Sequence, residues 1–362
     1  MDLAHINHQT QWVLWLGLAL GIAFGALMQR SHFCTMGAVA DAVNFGSWGR
    51  ARMAALAIGV AVLGTQALSG LGVIDLSKSV YTGGRFIWAA YALGGALFGF
   101  GMVLAGGCGS KTLLRMGGGS LKALVVFLVM GLAAYMTLRG VLGVLRVNAI
   151  EPLMLTLPAQ DLPRLLGLSP WLAGGVVGVA LVAWSLSHKE GRSGDTLLAG
   201  VGVGMLTVAA WVVSGNIGFV LEHPDTLQEA FLATNSGRME SFSFVAPSAY
   251  WIDYGVLFSD KTKVLSFGMT TALGVVLGAW AVSILSKTFR WEGFSNTRDL
   301  AQHLVGAVMM GFGGVLAMGC TVGQGLSGVS TLALGSFLTL ACIVGGAVLA
   351  LKYQMRVMEQ SL

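Results

Sequence analysis

Two ten-residue stretches decide the fold: Gly99-Phe-Gly-Met-Val-Leu-Ala-Gly-Gly-Cys108 and Gly311-Phe-Gly-Gly-Val-Leu-Ala-Met-Gly-Cys320. Eight of the ten positions are identical at a constant offset of 212. Chance does not readily supply that, even in Gly- and Leu-rich sequence, so the chain carries an internal duplication. Each stretch closes an apolar segment and leads into residues unfit for plain helix in lipid. These are Gly109-Ser-Lys-Thr-Leu-Leu-Arg-Met-Gly-Gly-Gly119 in one half and Thr321-Val-Gly-Gln-Gly-Leu-Ser-Gly328 in the other. Irregular backbone at membrane depth survives only where protein or water covers it.

The chain around these stretches is membrane sequence. Of 362 residues 55% are hydrophobic and 10% charged, with mean hydropathy +0.77. Soluble globular and disordered classes are excluded, and four cysteines are too few for a disulfide-stapled secreted domain. The 53 glycines imply close helix packing and broken helices. Charged side chains are costly at the bilayer centre, so the long gaps between them mark the crossings. The first gap runs from Asp2 to Arg30, and the last, Asp299 to Lys352, is long enough for two crossings joined at Cys320. The result is an all-α polytopic membrane protein with about nine transmembrane helices plus re-entrant half-helices. The predicted spans are 12–28, 52–71, 86–105, 121–138, 171–186, 196–214, 264–285, 301–318 and 331–351.

No Lys or Arg precedes the first span, which argues against a cleaved signal peptide. With the amino terminus outside and the carboxyl terminus inside, nine crossings place 13 of the 21 Lys and Arg residues inside and 8 outside. Residues 215–256 then lie outside, carrying Glu222, Asp225, Glu229, Glu240 and Asp253 against Arg238. Pro152, Pro158, Pro163 and Pro170 mark residues 148–170 as an irregular linker between a first half, 1–147, and a second, 171–362, within one integral membrane domain. In this topology the third span runs inward to Cys108 and the eighth outward to Cys320, an inverted internal repeat. That symmetry lets one binding region be reached from both sides and points to a transporter.

Arg30-Ser-His-Phe-Cys34-Thr-Met-Gly37 is a third helix break, so three of the four cysteines sit at breaks. There is no CxxC and no Cys/His cluster at metal-ligand spacing, so no metal or iron–sulfur site and no cofactor is expected. Residues 107–112 lack the glycine and strand context of a phosphate loop. A neutral thiol is a weak donor that can hold a polarizable sulfur solute without trapping it. The competing reading, a small residue chosen for tight packing, suits Cys342 in mid-helix. The candidate substrate-binding residues are therefore Cys34, Cys108 and Cys320 with the backbone amides of Gly107, Gly109, Gly319 and Gly323. Lys111, Arg115, Gln324 and His32 are further candidates. Lys111 and Arg115 either meet the departing anion or anchor the inner face, and His32 is interfacial or part of a proton relay.

Met28-Gln-Arg-Ser-His-Phe-Cys34-Thr-Met-Gly-Ala38 with Asp41, together with the paired GFGxVLAxGC segments, resembles the YeeE/YedE family of bacterial inner-membrane proteins. The likeness covers nearly the whole chain in span count and repeat layout. It implies inward transport of thiosulfate or a related sulfur anion, with Cys34, Cys108 and Cys320 handing the anion on through S–H···S contacts. It also implies a partner, a TusA-like sulfur carrier, which here would be a separate protein; nothing suggests nucleic acid. A membrane thiol oxidoreductase exchanging disulfide or persulfide at the same cysteines is the alternative, disfavoured because no resolving cysteine is close in sequence.

Overall fold

A computed structural model describes residues 3–224 and 226–360. Asp2 and Asp225, which figure in the charge pattern, lie outside them. The helices are α1 (Leu3–Ser31), α2 (Thr35–Phe45), α3 (Gly49–Gly70), α4 (Trp88–Leu104), α5 (Gly109–Gly117), α6 (Leu121–Arg139), α7 (Val141–Leu145), α8 (Leu162–Leu166), α9 (Pro170–Leu186), α10 (Gly194–Val212), α11 (Ala246–Val256), α12 (Phe267–Leu285), α13 (Thr297–Leu316) and α14 (Leu334–Glu359). Among the described residues, eight helical stretches are long and apolar enough to cross a membrane. The ninth expected crossing is α9. Its 17 residues span only about 25 Å, just short of that length. The protein is a multi-pass, all-α membrane protein, and α2, α5 and α11 are its half-length helices.

Local chemistry sets the helix starts. Ser120 Oγ accepts the Ala123 amide before α6, Ser193 Oγ the Thr196 amide before α10, and Asn296 Oδ1 the Asp299 amide before α13. Ser169 caps α9 ahead of Pro170, whose missing N–H costs nothing at the first helical position. Two short antiparallel ribbons, Arg85–Phe86 with Leu155–Thr156 and Phe219–Val220 with Ala230–Phe231, are the only strands among the described residues.

In lipid no hydrophobic force drives helices together, so association rests on close backbone approach at small residues. Gly21 and Gly25 of α1 abut Thr271 and Val275, while Gly274 and Gly278 of α12 abut Leu18 and Ile22; register rises on both helices, so they run parallel. On α4 and α13 the register is opposed. A Cβ on Gly94 would stand 2.7 Å from Gly313 O, and one on Gly101 2.7 Å from Gly306 O, so these helices are antiparallel. At the offset of 212, Gly306 is the counterpart of Gly94 and Gly313 that of Gly101. Each contact is thus the repeat image of the other.

Residues 215–256, expected to lie outside the membrane body, do not all stay at the periphery. Phe242, Phe244 and Val245 have no exposed surface, and Phe242 and Phe244 pack on Phe24 of α1 with ring centroids 4.5 and 5.8 Å away. A burial gain of about 1.5–3 kcal/mol per large apolar side chain draws the segment inward. Ser327 Oγ donates to Phe242 O at 2.8 Å and helps satisfy its backbone there. This inward packing matters for the site, because the inserted segment runs between the two repeated motifs.

Candidate functional site

The three cysteine-bearing breaks share one backbone solution. In each, the residue two positions before the cysteine is left-handed: His32 at φ 53°, Gly106 at 68° and Met318 at 56°. Two of the breaks close the preceding helix identically. Gly106 N–H donates to Val103 O and Gly107 N–H to Met102 O; Met318 N–H donates to Val315 O and Gly319 N–H to Gly314 O. Glycine carries no strain at such a position, whereas His32 and Met318 do. The cysteine then starts the next element. Cys34 Sγ accepts the Gly37 amide at 3.3 Å, Cys320 Sγ accepts the Gly323 amide at 3.4 Å, and Cys108 Sγ lies 3.3 Å from Ser110 Oγ.

These hydrogen bonds revise the expectation that four glycine amides are open to solute. The amides of Gly107 and Gly319 are engaged in closing helix ends, and that of Gly323 is engaged by Cys320. Gly109, the first residue of α5, has Phe244 Cβ 3.6 Å from where its own Cβ would be. Phe244 thus stands against the Cys108 break, while its neighbour Ser243 stands against the Cys320 break, its Oγ 2.8 Å from where a Gly323 Cβ would be.

Reciprocity extends to the breaks. Tyr91, near the start of α4, donates its hydroxyl to Met318 Sδ at 3.6 Å. His303, its counterpart at the offset of 212, faces Gly106, the counterpart of Met318, with Nε2 3.6 Å from the position a Gly106 Cβ would take. The two breaks thus cap opposite ends of the α4–α13 pair. Cys108 lies within electrostatic reach of both Cys34 and Cys320. Cys108 and Cys320 are buried and Cys34 is partly so; all four cysteines are free. Cys342 packs against Gly95 of α4.

Cavities open at both ends of the pair. At the end bearing Gly106, about 320 Å³ is lined by Arg30, His32, Lys111, Arg115, Arg290 and Glu292, with Ser120 and Gln29. Arg115 is less free than its charge suggests: Nη1 donates to Gly106 O at 3.3 Å and Nη2 pairs with Glu292 at 3.6 Å, so it braces the break itself. Lys111 lies over Gly107, its Cγ 2.9 Å from the place of a Cβ. At the other end, two cavities of about 360 and 190 Å³ share Val80, Arg146, Ser236, Val315 and Met318. Arg85 and Arg238 line the first, and Gly319 and Tyr81 the second. Arg146 Nε is buried with no hydrogen-bond partner among the described residues, although it lies 3.6 Å from Glu151. Gln324 donates through Nε2 to Ala317 O, while its buried Oε1 and the Thr321 hydroxyl beside Cys320 have no partner among the described residues.

Sequence reading missed Arg85, Arg146, Arg238, Tyr81 and the inserted segment 239–245. The cations come from separate loops with no common motif, so no spacing signals them. The insertion is announced only by the run Phe242-Ser-Phe244-Val245 in otherwise polar sequence.

The described residues thus place basic side chains in the cavities at both ends of the α4–α13 pair and a thiol at each of three helix breaks. The chain is 28% identical over 337 residues to a protein of Spirochaeta thermophila named Thiosulfate transporter TsuA, covering 90% of this chain and 94% of that one. It is 27% identical over 321 residues to the Escherichia coli K12 protein of the same name, covering 86% of each. It also matches 106 residues of the Salmonella typhimurium protein named Probable transporter YedE at 36% identity, 28% of this chain and 24% of that one. The model of the family described as Sulphur transport matches residues 30–349, and the chain belongs to that family of membrane transporters.

Proposed function

We propose that this protein takes up thiosulfate or a closely related sulfur oxyanion across the bacterial inner membrane, without enzymatic turnover. The observation that carries the reading is the set of three cysteine-led breaks. Cys108 is within electrostatic reach of the other two, and basic side chains line cavities at opposite ends of one antiparallel helix pair, which supports a path between them. Two full relatives bear the name of thiosulfate transporters, which supports the choice of solute.

In this reading the anion enters the vestibule of Arg85, Arg146 and Arg238, and passes Cys320, Cys108 and Cys34 in turn. It leaves into the cavity of Lys111, His32 and Arg290. Neutral thiols suit such a relay because each S–H···S contact is weak enough to break. Gly109 keeps a substrate-binding role, while Gly107, Gly319 and Gly323 hold the breaks in shape; Gln324 and Arg115 brace them. The amino terminus is periplasmic and the carboxyl terminus cytoplasmic, which puts the three arginines outside. The reciprocal contacts of α4 with α13 support the inverted repeat, with halves 1–147 and 171–362 joined by 148–170. A separate TusA-like sulfur carrier is the expected recipient inside.

The deciding experiment loads purified protein into liposomes with its cysteines kept reduced and measures entry of radiolabelled thiosulfate. Uptake under reduction is expected. If reduced protein is inert, while oxidation forms a bridge between two of Cys34, Cys108 and Cys320 and restores activity, the thiol oxidoreductase reading replaces this one.

A further inference from the structure

The wall of the proposed entry vestibule contains a carboxylate, the least expected group on the path of an anion. Glu240 lines the 190 Å³ cavity with Arg146, Tyr250, Ser241 and Ser243, and Met318 and Gly319, which directly precede Cys320 in the chain, line it too. The group is built in rather than loosely placed. Its Oε1 accepts the Ser236 amide at 3.1 Å and the Ser236 hydroxyl. Its own backbone is held by Ser214, whose Oγ donates to the Glu240 carbonyl and accepts the Glu240 amide at 3.2 Å.

The titratable and charged groups around it are Tyr81 on the segment after α3, Arg146 on the turn after α7, Tyr250 on α11, and Arg238 on its own loop. Arg139 and Asp253 act on Tyr250 from beyond. None of the vestibule arginines pairs with Glu240 among the described residues. Arg146 and Arg85 turn to Glu151, at 3.6 and 3.8 Å, and Arg238 donates to Ser79 O at 3.4 Å.

We infer that Glu240 is a protonation-controlled charge filter in the vestibule wall, an inference that rests on the proposed sulfur-anion uptake. As a carboxylate it repels the entering dianion; as a neutral acid it admits the anion and donates a hydrogen bond to it. Burial pushes the Glu240 carboxyl up from its ordinary value, and only the Ser236 hydroxyl and amide oppose that push. Thiosulfate is the anion of a strong acid and keeps its charge across the physiological range, so a pH effect on its affinity belongs to the protein. The sign follows: the neutral, admitting form is present at low pH and is lost as pH rises through the raised value.

The test is radiolabelled thiosulfate uptake by cells lacking other sulfur uptake, with KM measured at external pH from about 5 to 8. KM in the wild type is expected to rise with pH, by up to about tenfold per unit above the Glu240 titration. Glu240→Gln should hold KM flat at its low-pH value. Ser236→Ala, an exposed change that removes one stabilising donor, should move the wild-type rise to higher pH. A purely structural role would lower the maximal rate and leave the pH profile in place. The inference is overturned if Glu240→Gln keeps the wild-type profile, if Ser236→Ala does not move it, or if wild-type KM is flat. Wild type that takes up no thiosulfate at any pH would remove the transport reading and this inference with it.

Discussion

Replacing Gly313 by alanine tests whether the repeated motif acts through helix packing. The added methyl would stand 2.7 Å from Gly94 O and 2.7 Å from Phe98 N on α4, against a 3.0–3.4 Å range in which even tight contacts fall. Both neighbours are backbone, so neither can swing away; α4 and α13 must part by about 0.3–0.7 Å. Overpacking of this kind costs about 1–3 kcal/mol. Gly101→Ala, the repeat counterpart, would place its methyl 2.7 Å from Gly306 O and should cost a similar amount. Gly345→Ala is the control. That glycine has nothing within 4 Å of its added carbon, and alanine should gain about 0.5–1 kcal/mol from helix propensity. Thermal unfolding in detergent should therefore rank Gly345→Ala above wild type, and both above Gly101→Ala and Gly313→Ala. Thiosulfate uptake at matched expression should fall in the last two, since each displaces a helix leading into a cysteine break. Equal stability of Gly313→Ala and Gly345→Ala would refute the packing argument. A large difference between Gly101→Ala and Gly313→Ala would refute the reciprocity.

Serine at Cys34, Cys108 or Cys320 keeps size and a donor but loses sulfur's polarizability, so each change should impair uptake with near-normal folding; Cys342→Ser should be mild, and identical growth of all four on thiosulfate would leave the relay unsupported. Arg115→Ala removes a charged donor from Gly106 O and should cost about 1–3 kcal/mol. Arg115→Lys keeps the charge but cannot reach Gly106 O and Glu292 together. Full uptake with lysine would show that Arg115 serves the anion's exit rather than the break.

Sequence by itself determined the membrane class, the helical nature of the spans, the duplication and the three cysteine breaks. These depend on composition and on local order along the chain: a charge gap marks a span wherever its neighbours lie, and Gly-Cys after an apolar run interrupts a helix on its own account. The length of α9, two residues below the shortest of the eight crossing stretches, and the inward turn of residues 239–245 were settled only by the tertiary structure. Segment 239–245 is polar around Phe242 and Phe244, and its burial depends on Phe24, more than 200 residues away, leaving a space for those rings. The same holds for function. Cys34, Cys108 and Cys320 are legible as unusual residues, but that Cys108 comes within electrostatic reach of the other two is a matter of packing. Arg85, Arg146, Arg238 and Glu240 line two adjoining cavities because separate loops converge at the start of α4 and the end of α13. Convergence of distant segments leaves no period and no spacing in the chain, so it can be read only from the folded molecule.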